Sequence, residues 1–371
     1  MTALGSKVVS SCQAHYADLA LQSVLHVADL ERKDVNFDLI KIVAKAGGAL
    51  EDSQFIEGIV LDKDFSHPQM EKEVKDAKVL ILTCPFEPPK PKTKHGLEIQ
   101  SAADYEKLYN MEQKYFVDMV KKCKDSGANI VLCQWGFDDE ANHLLMHNKL
   151  PAVRWVGGVE IELLAIATGA RIVPRFEEIT PEKLGKAGVI KEFTFGTSND
   201  KVLLVQECDH SKAVTVLIRG GSRTICDEAK RCLFDAICVV RNMIKDNNVV
   251  GGGGATELAC AIEVAKEADK IDGIEQYAVR AFADALEEIP MTLAENSGFN
   301  PITYVSDIKK LQVEEQNPFL GVDCMSLGTN NMYEQGIFES VNSKKQQFQL
   351  ATQVVKMILK IDDVIAPQEY E

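Results

Sequence analysis

The chain has 371 residues, of which 46% are hydrophobic, and it carries a formal net charge of -15 at pH 7. This length and apolar content are typical of a globular protein of two or three domains with substantial cores. The negative charge argues against a general attraction to nucleic-acid phosphates or anionic membranes, so we expect neither as a partner.

The N-terminal residues lack the basic-then-apolar layout of a secretory signal, and no apolar run is long enough to span a membrane. Ten cysteines occur singly, in a pattern that fits neither a C-x-x-C metal site nor a secreted disulfide framework. We therefore expect a cytoplasmic protein with buried, reduced thiols.

The first two hundred or so residues mix helical and strand patterns. Residues 7–28 carry apolar side chains near helical spacing, and the stretch before Gly47-Gly48 is also helix-like. From Ile56 onward, short β-branched runs alternate with helices, which predicts an α/β domain. The predicted strands lie at residues 59–61, 79–82, 130–132, 153–156 and 172–173.

Residues 85–94 contain too many prolines for a sheet or a helix, and Ser101 follows as a plausible helix cap. We interpret them as an extended arm that leads into a long helix. Farther on, His143 and His147 could face one side of a helix, but a metal site needs a third ligand and no H-E-x-x-H signature is present. We interpret both as surface histidines and predict no metal ligands.

The helix predicted from Val159 to Thr168, followed by Gly169, is apolar on more than one side. One side must face the sheet. Leu163 and Ile166 then either form an exposed apolar patch or lie in the core.

Asp235 stands in the apolar segment 232–240 of a helix predicted over residues 227–245. An unpaired carboxylate on a half-buried helix face would be costly. We expect it either to pair with Arg231 or Arg241, or to act as an active-site carboxylate that orients water or a metal.

Four consecutive glycines, Gly251 to Gly254, precede a nearly all-helical region with helices predicted at 256–268 and 275–296. A turn without side chains before a helix exposes backbone N–H groups, so it either contacts a phosphate or simply connects a strand to a helix. Neither a Walker-type lysine nor a G-x-G-x-x-G fingerprint follows it. The clearest domain boundary is expected near residue 246.

Several motifs now occur in a fixed order: Arg219-Gly220-Gly221, Asp235-Ala236, residues 250–257, Gly321-Val322-Asp323 and residues 358–363. This series resembles the second half of a group II chaperonin subunit of the eukaryotic cytosolic type, and the resemblance covers essentially the whole chain. Residues 85–90, 134–143 and 281–287 resemble the epsilon-type subunits of that family most closely.

The resemblance implies a multidomain fold, α/β and all-α. A chaperonin-type apical α/β domain would be inserted in an intermediate hinge domain, followed by a partial, mostly helical equatorial domain. The implied boundaries are 1–57 and 213–246 for the intermediate domain, 58–212 for the apical domain with a lid protrusion at about 85–125, and 247–371 for the C-terminal part of the equatorial domain.

The resemblance also implies roles for individual residues. Asp235 matches the hinge aspartate that positions the attacking water, and the helix from Val159 to Thr168 matches the substrate-binding helix, with Leu163 and Ile166 facing the cavity. Glu162 on the same helix is included as a substrate contact. The residues that match the family's nucleotide site are Gly252, Gly253, Asp323, Glu339 and Lys344.

ATP or ADP with Mg²⁺ is the cofactor that the resemblance implies. Family members begin with an equatorial segment that carries a phosphate loop and a Gly-Asp-Gly-Thr-Thr motif whose aspartate helps hold magnesium, and neither motif occurs in these 371 residues. Phosphoryl transfer depends on such a metal clamp, so we expect the Mg²⁺ site to be incomplete here. A smaller departure is Ser340, where many family members have proline.

Two functions follow from the resemblance. The first is an ATP-dependent folding subunit in a hetero-oligomeric double ring with other chaperonin subunits, which encloses unfolded polypeptides such as cytoskeletal proteins. The second is a truncated, non-catalytic module whose apical domain binds unfolded protein without ATP hydrolysis. A truncated product without function is a third reading.

Overall fold

The computed structural model describes residues 1–88, 99, 101–195, 200–208 and 213–365. Residues 89–94 of the predicted proline-rich arm, and part of the expected lid protrusion, lie outside the described residues. By residue contacts the chain divides into two compact units, residues 3–237 and residues from 238 onward, and the division falls inside one long helix. Each unit is described by itself.

The described residues form strands in three sheets. The strands are β1 (Ile40–Ala46), β2 (Gln54–Ile56), β3 (Gly58–Leu61), β4 (Glu73–Leu82), β5 (Ile130–Cys133), β6 (Ala152–Val153), β7 (Gly185–Thr194), β8 (Lys201–Gln206), β9 (Val214–Gly220), β10 (Val249–Gly251) and β11 (Phe338–Ser340).

Helices connect and cover these strands. They are α1 (Gln13–Val27), α2 (Ala102–Asp125), α3 (Asp139–His147), α4 (Gly158–Thr168), α5 (Arg223–Lys245), α6 (Ala255–Ala268), α7 (Glu275–Asn296), α8 (Pro301–Glu315) and α9 (Val341–Ile358).

The first unit contains two sheets. A three-stranded sheet has the order β1-β9-β2, with β1 and β9 parallel and β2 antiparallel to β9. A six-stranded sheet has the order β3-β8-β7-β4-β5-β6, in which β4, β5 and β6 are mutually parallel and the other pairs antiparallel. Strands β3 and β5 are buried along their whole length, which explains their uninterrupted apolar sequence.

The predicted α/β character of this unit is confirmed, with two local errors. Residues 172–173 form no strand, and Val173 makes only an isolated bridge to Leu82. The helix-like stretch before Gly47 is the strand β1, because its parallel partner β9 supplies backbone hydrogen bonds that override the local helical pattern. The predicted cap at Ser101 is present. Its side-chain oxygen accepts a hydrogen bond from the Asp104 N–H at 3.2 Å and so caps the N-terminus of α2.

The second unit is mainly helical. The core between α6, α7 and α8 contains Leu258, Ala294, Val305 and Ile308, together with Leu320 and Val322 from the following loop. The short pair of strands β10 and β11 is antiparallel, with Val250 opposite Glu339. Loop 320–323 lies against the glycine run that precedes α6, because the Val322 N–H donates to the Gly253 carbonyl at 2.8 Å.

Apolar side chains remain exposed on two helices of the second unit. On α7 these include Tyr277 and Ile289, and on α9 they include Leu350, Val354 and Met357. By contrast, α6 presents no large apolar side chain among the exposed residues that the structure describes.

All ten cysteines lie in described regions, and none of them forms a disulfide there. The predicted burial holds for Cys12, Cys123, Cys133, Cys226 and Cys232, whereas Cys324 is exposed. Burial raises the pKa of the Cys123 and Cys133 thiols to about 12, so both are protonated and unreactive near neutral pH. Across the part of the chain that the structure covers, no helix is long and apolar enough to cross a membrane.

Candidate functional site

The glycine run forms a tight turn between β10 and α6. Gly253 and Gly254 have φ values of +61° and +76°, in the left-handed region that favours glycine. A Cβ on Gly253 would lie 2.6 Å from the Met332 sulfur, and one on Gly254 would lie 2.7 Å from the Cβ of Pro290 in α7. The turn therefore requires glycine both for its backbone angles and for its close packing.

Neighbouring segments fix this turn through its backbone. The Gly252 N–H donates to the Ile337 carbonyl at 3.1 Å, and the Gly253 carbonyl accepts from the Val322 N–H at 2.8 Å. In the described part of the chain, the N–H groups of Gly253 and Gly254 have no hydrogen-bond partner. Unpaired N–H groups at the start of a helix are suited to an anion.

Asp323 lies next to this turn, because the N–H of the preceding residue Val322 donates to the Gly253 carbonyl. The buried Asp323 carboxylate accepts hydrogen bonds from the N–H groups of Met325 at 3.2 Å and Gly328 at 2.9 Å. Burial alone would raise the pKa of Asp323, but hydrogen bonds from the backbone of Leu327 and Gly328 outweigh it and lower the pKa. The carboxylate thus shapes its own loop next to the turn.

Glu339 and Lys344 lie on the other side of the turn. Glu339 is on β11, and its Oε1 would be 3.4 Å from a Cβ on Gly252. Its Oε2 is 2.8 Å from the Lys344 ammonium on α9. The structure therefore brings together Gly252, Gly253, Glu339 and Lys344, with Asp323 in the adjoining loop.

A residue that sequence reasoning missed completes this group. Glu257, in the first turn of α6, places its Oε1 2.5 Å from the Lys344 ammonium. Glu257 is only 1% exposed and Lys344 only 8%. Burial alone would lower the pKa of Lys344, but hydrogen bonds to Glu257 and Glu339 outweigh it and raise the pKa. The sequence signal that could have identified Glu257 is a charged residue next to the apolar Leu258 at the start of a predicted helix.

Asp235 lies in the middle of α5 and is exposed to solvent. The expectation that it occupies a half-buried, costly position is therefore wrong, because the apolar side of α5 is formed by its neighbours Leu233 and Ala236. Arg231 pairs with Glu228 at 2.5 Å instead of with Asp235. An exposed carboxylate needs no compensating partner.

The candidate substrate-binding helix α4 begins after Gly157, ends before Gly169 and agrees closely with its predicted bounds. Leu163 is 6% exposed and belongs to the core of the six-stranded sheet, so the prediction that it faces outward is wrong. Ile166 is 50% exposed, as predicted, and Glu162 is exposed. The two predicted apolar positions split because the buried side of α4, which includes Ile161, Leu164 and Ala167, is wide enough to take in Leu163 but does not reach Ile166.

The exposed face of α4 also includes Val159, which is 72% exposed. Val159, Glu162 and Ile166 are spaced by three and four residues and therefore share one side of the helix. Trp155, four residues before Val159, forms an edge-to-face pair with Trp135 with ring centroids 6.4 Å apart, and both rings are partly exposed. This face can contact apolar groups of another molecule.

His143 and His147 are exposed on α3, with their rings stacked at a centroid distance of 6.4 Å. Within the described ranges, no three or more His, Cys, Asp or Glu side chains are grouped so that they could hold a metal ion.

Comparison with known proteins places this geometry in a family. The TCP-1/cpn60 chaperonin family matches residues 1–369. The T-complex protein 1 subunit epsilon of Encephalitozoon cuniculi is 51% identical over 365 residues, which are 98% of this chain and 68% of that protein. A thermosome subunit of Methanocaldococcus jannaschii is 39% identical over 369 residues, which are 100% of this chain and 68% of that protein.

Among solved structures, the open-state monomer of a group II chaperonin from Methanococcoides burtonii is similar with a TM-score of 0.70 and 34% identity. The match covers 97% of this chain and 83% of that one. The chain spans about two thirds of the length of the curated relatives it matches.

Proposed function

The chain belongs to the TCP-1/cpn60 chaperonin family and is a group II chaperonin subunit, and we propose that it acts in an ATP-dependent double ring that binds and folds unfolded polypeptides. Its partners in this proposal are other chaperonin subunits of a hetero-oligomeric ring in the cytoplasm, with clients such as cytoskeletal proteins. The non-catalytic module is not favoured, because subunits of chaperonins match nearly the whole chain.

The observation that best supports this proposal is the glycine turn with Glu339 beside it. ATP or ADP fits the site because the turn at Gly252 and Gly253 carries no side chains, and the N–H groups of Gly253 and Gly254 are unpaired in the described structure at the start of α6. The ionised Glu339 carboxylate accepts hydrogen bonds, as ribose hydroxyls require. Asp323 would lie near the base, on the loop that Val322 attaches to the turn. When bound, the nucleotide supplies the phosphoanhydride that is hydrolysed.

Lys344 contributes to this site through Glu339 and not as a free cation. Its ammonium already contacts two carboxylates, so it offers little unbalanced charge to a phosphate. We assign it the role of holding Glu339 in place.

Asp235 has the catalytic role in this proposal, on the basis of the family resemblance. Its exposed carboxylate can accept a hydrogen bond from water and orient that water for attack on a phosphate. Mg²⁺ would accompany the nucleotide phosphates.

The α4 face formed by Val159, Glu162 and Ile166 is the proposed contact for unfolded polypeptides, which expose the apolar side chains that such a face binds. Leu163 supports this face from the core and makes no direct contact.

We also propose the domain division implied by the resemblance. Residues 1–57 and 213–246 form the intermediate domain, 58–212 the apical domain and 247–371 the equatorial part. In support, β1, β2 and β9 share one sheet, whereas β3 to β8 form another.

Two measurements test the proposed function. Native mass spectrometry of the purified protein should show ring-sized assemblies, and a sample of monomers alone would count heavily against ring function. ATP turnover should exceed that of an Asp235→Ala variant. Equal turnover in the two proteins would remove Asp235 from the mechanism and restore the non-catalytic module.

A further inference from the structure

Two carboxylates compete for one buried ammonium beside the glycine turn. Lys344 contacts Glu257 at 2.5 Å and Glu339 at 2.8 Å, so these three groups together carry one excess negative charge. Removing one member of such a buried group leaves uncompensated charge, so each of the three side chains depends on the other two.

The two carboxylates are not equivalent. Glu257 is enclosed, and its Oε2 is buried without a hydrogen-bond partner in the described structure. Glu339 has a side chain about one-third exposed, and its Oε1 points to the position above Gly252. Glu257 therefore faces the interior, whereas Glu339 faces the glycine turn.

We infer that Glu257 is a positioning residue for nucleotide binding, which acts through Lys344 to keep the Glu339 carboxylate available to ribose hydroxyls. This inference rests on the proposed nucleotide site and adds to it a residue to which neither the sequence nor the relatives assign a role. Glu257 is not expected to touch the nucleotide itself.

The physical reason lies in how Lys344 shares its donors. An ammonium has three N–H donors. With Glu257 ionised, Lys344 is anchored in the interior and engages only Oε2 of Glu339. Without that anchor the ammonium would turn fully toward Glu339 and compete with ribose hydroxyls for the same oxygen atoms. Glu339 would also lose its fixed rotamer.

The experiment measures ribose recognition and not affinity alone. The dissociation constants of ATP and of 2′,3′-dideoxy-ATP are determined by calorimetry for the full chain and for Glu257→Gln. Hydrogen bonds to a charged group are worth about 1.5–3 kcal/mol, so the wild-type protein should prefer ATP by about tenfold or more. In Glu257→Gln this ratio should fall to about two or less, by loss of most of that hydrogen-bond energy.

Glu263→Gln is the matched control, since Glu263 lies on the same helix but forms an exposed pair with Lys266. It should leave the ratio unchanged. Glu339→Gln should also abolish the preference, and adding Glu257→Gln to it should change nothing further. A merely structural role of Glu257 would alter both affinities equally and keep the ratio.

Each outcome decides a different claim. If the wild-type chain binds neither nucleotide, the proposed nucleotide site fails and the inference fails with it. If wild type binds both equally, or if Glu257→Gln keeps the wild-type preference, the inference alone is overturned. If Glu257→Gln does not fold, Glu257→Asp provides the test, because the aspartate keeps the charge but its side chain is one methylene shorter and moves the carboxylate away from Lys344. An unchanged ratio of the two dissociation constants in Glu257→Asp also overturns the inference.

Discussion

The two candidate sites of this protein are built on opposite principles. The α4 face presents apolar side chains to solvent, with Ile166 outward and Leu163 inward. The glycine turn presents backbone, and its charged groups Glu257 and Lys344 are buried behind it. Substitutions should therefore separate binding from stability cleanly on α4, whereas around the turn the same residues should affect both.

The largest effect should come from Lys344→Met, which tests whether charge behind the turn is structurally essential. Removing one partner of a buried ion pair leaves uncompensated charge and costs about 3–5 kcal/mol. Urea unfolding measures this loss. Lys266→Met is the control, because Lys266 and its partner Glu263 are both exposed, and it should cost less than about 1 kcal/mol. Equal small losses in both variants would contradict the buried network.

The next effect tests the division of α4 into two sides. Leu163→Ala removes methyl groups from the core and should cost about 2–5 kcal/mol. Ile166→Ala should change stability by about 0.5 kcal/mol or less while reducing binding of an unfolded client. Thermal unfolding and client capture by the purified protein are the two measurements. A destabilised Ile166→Ala, or an unaffected Leu163→Ala, would show that the two sides have been assigned wrongly.

A third variant measures how closely the turn is packed. In Gly253→Ala, alanine must adopt a left-handed backbone conformation, which costs about 1–2 kcal/mol, and its methyl group would clash with Met332. Gly298→Ala isolates the backbone contribution, since Gly298 has a φ of +85° but open space around its Cβ position. We expect Gly253→Ala to be the more destabilising by about 1 kcal/mol. A smaller loss at Gly253 than at Gly298 would mean that the turn can relax.

The loop beside the turn should respond to pH through Asp323. Its pKa is lowered in the folded state from an ordinary value of 3.8, so its stabilising contribution is present above that value and is lost as pH falls through the lower folded pKa. Asp323→Asn should cost about 1–3 kcal/mol at neutral pH. The gap to wild type should close below about pH 4. A gap that stays constant from pH 7 to pH 3 would contradict the role of the charge.

The smallest effect is expected at Ser340. Its hydroxyl is buried without a hydrogen-bond partner among the described residues, so Ser340→Ala should be neutral or stabilising by about 1 kcal/mol at most. Unfolding in urea would detect the change. A loss of stability would show that the hydroxyl has a partner after all.

The same contrast explains which features the sequence could predict. Strands such as β5 and helices such as α7 can be predicted from local apolar patterns, and the glycine run predicts a turn. The orientation of Leu163 could not be read, because α4 is apolar on several sides and only packing decides between them. Glu257 was missed because its partner Lys344 lies 87 residues away in sequence, and local sequence patterns do not reveal such long-range pairs. The strand β1 was mistaken for a helix for the same reason.

Calorimetric titration of the full chain with ATP tests the central claim most directly. We predict saturable binding in wild type and in Gly298→Ala, and a loss of about tenfold or more in affinity in Gly253→Ala, where a methyl group would clash with the Met332 sulfur and displace the turn. Absence of saturable heat in wild type, or equal affinity in all three proteins, would contradict nucleotide binding at the glycine turn.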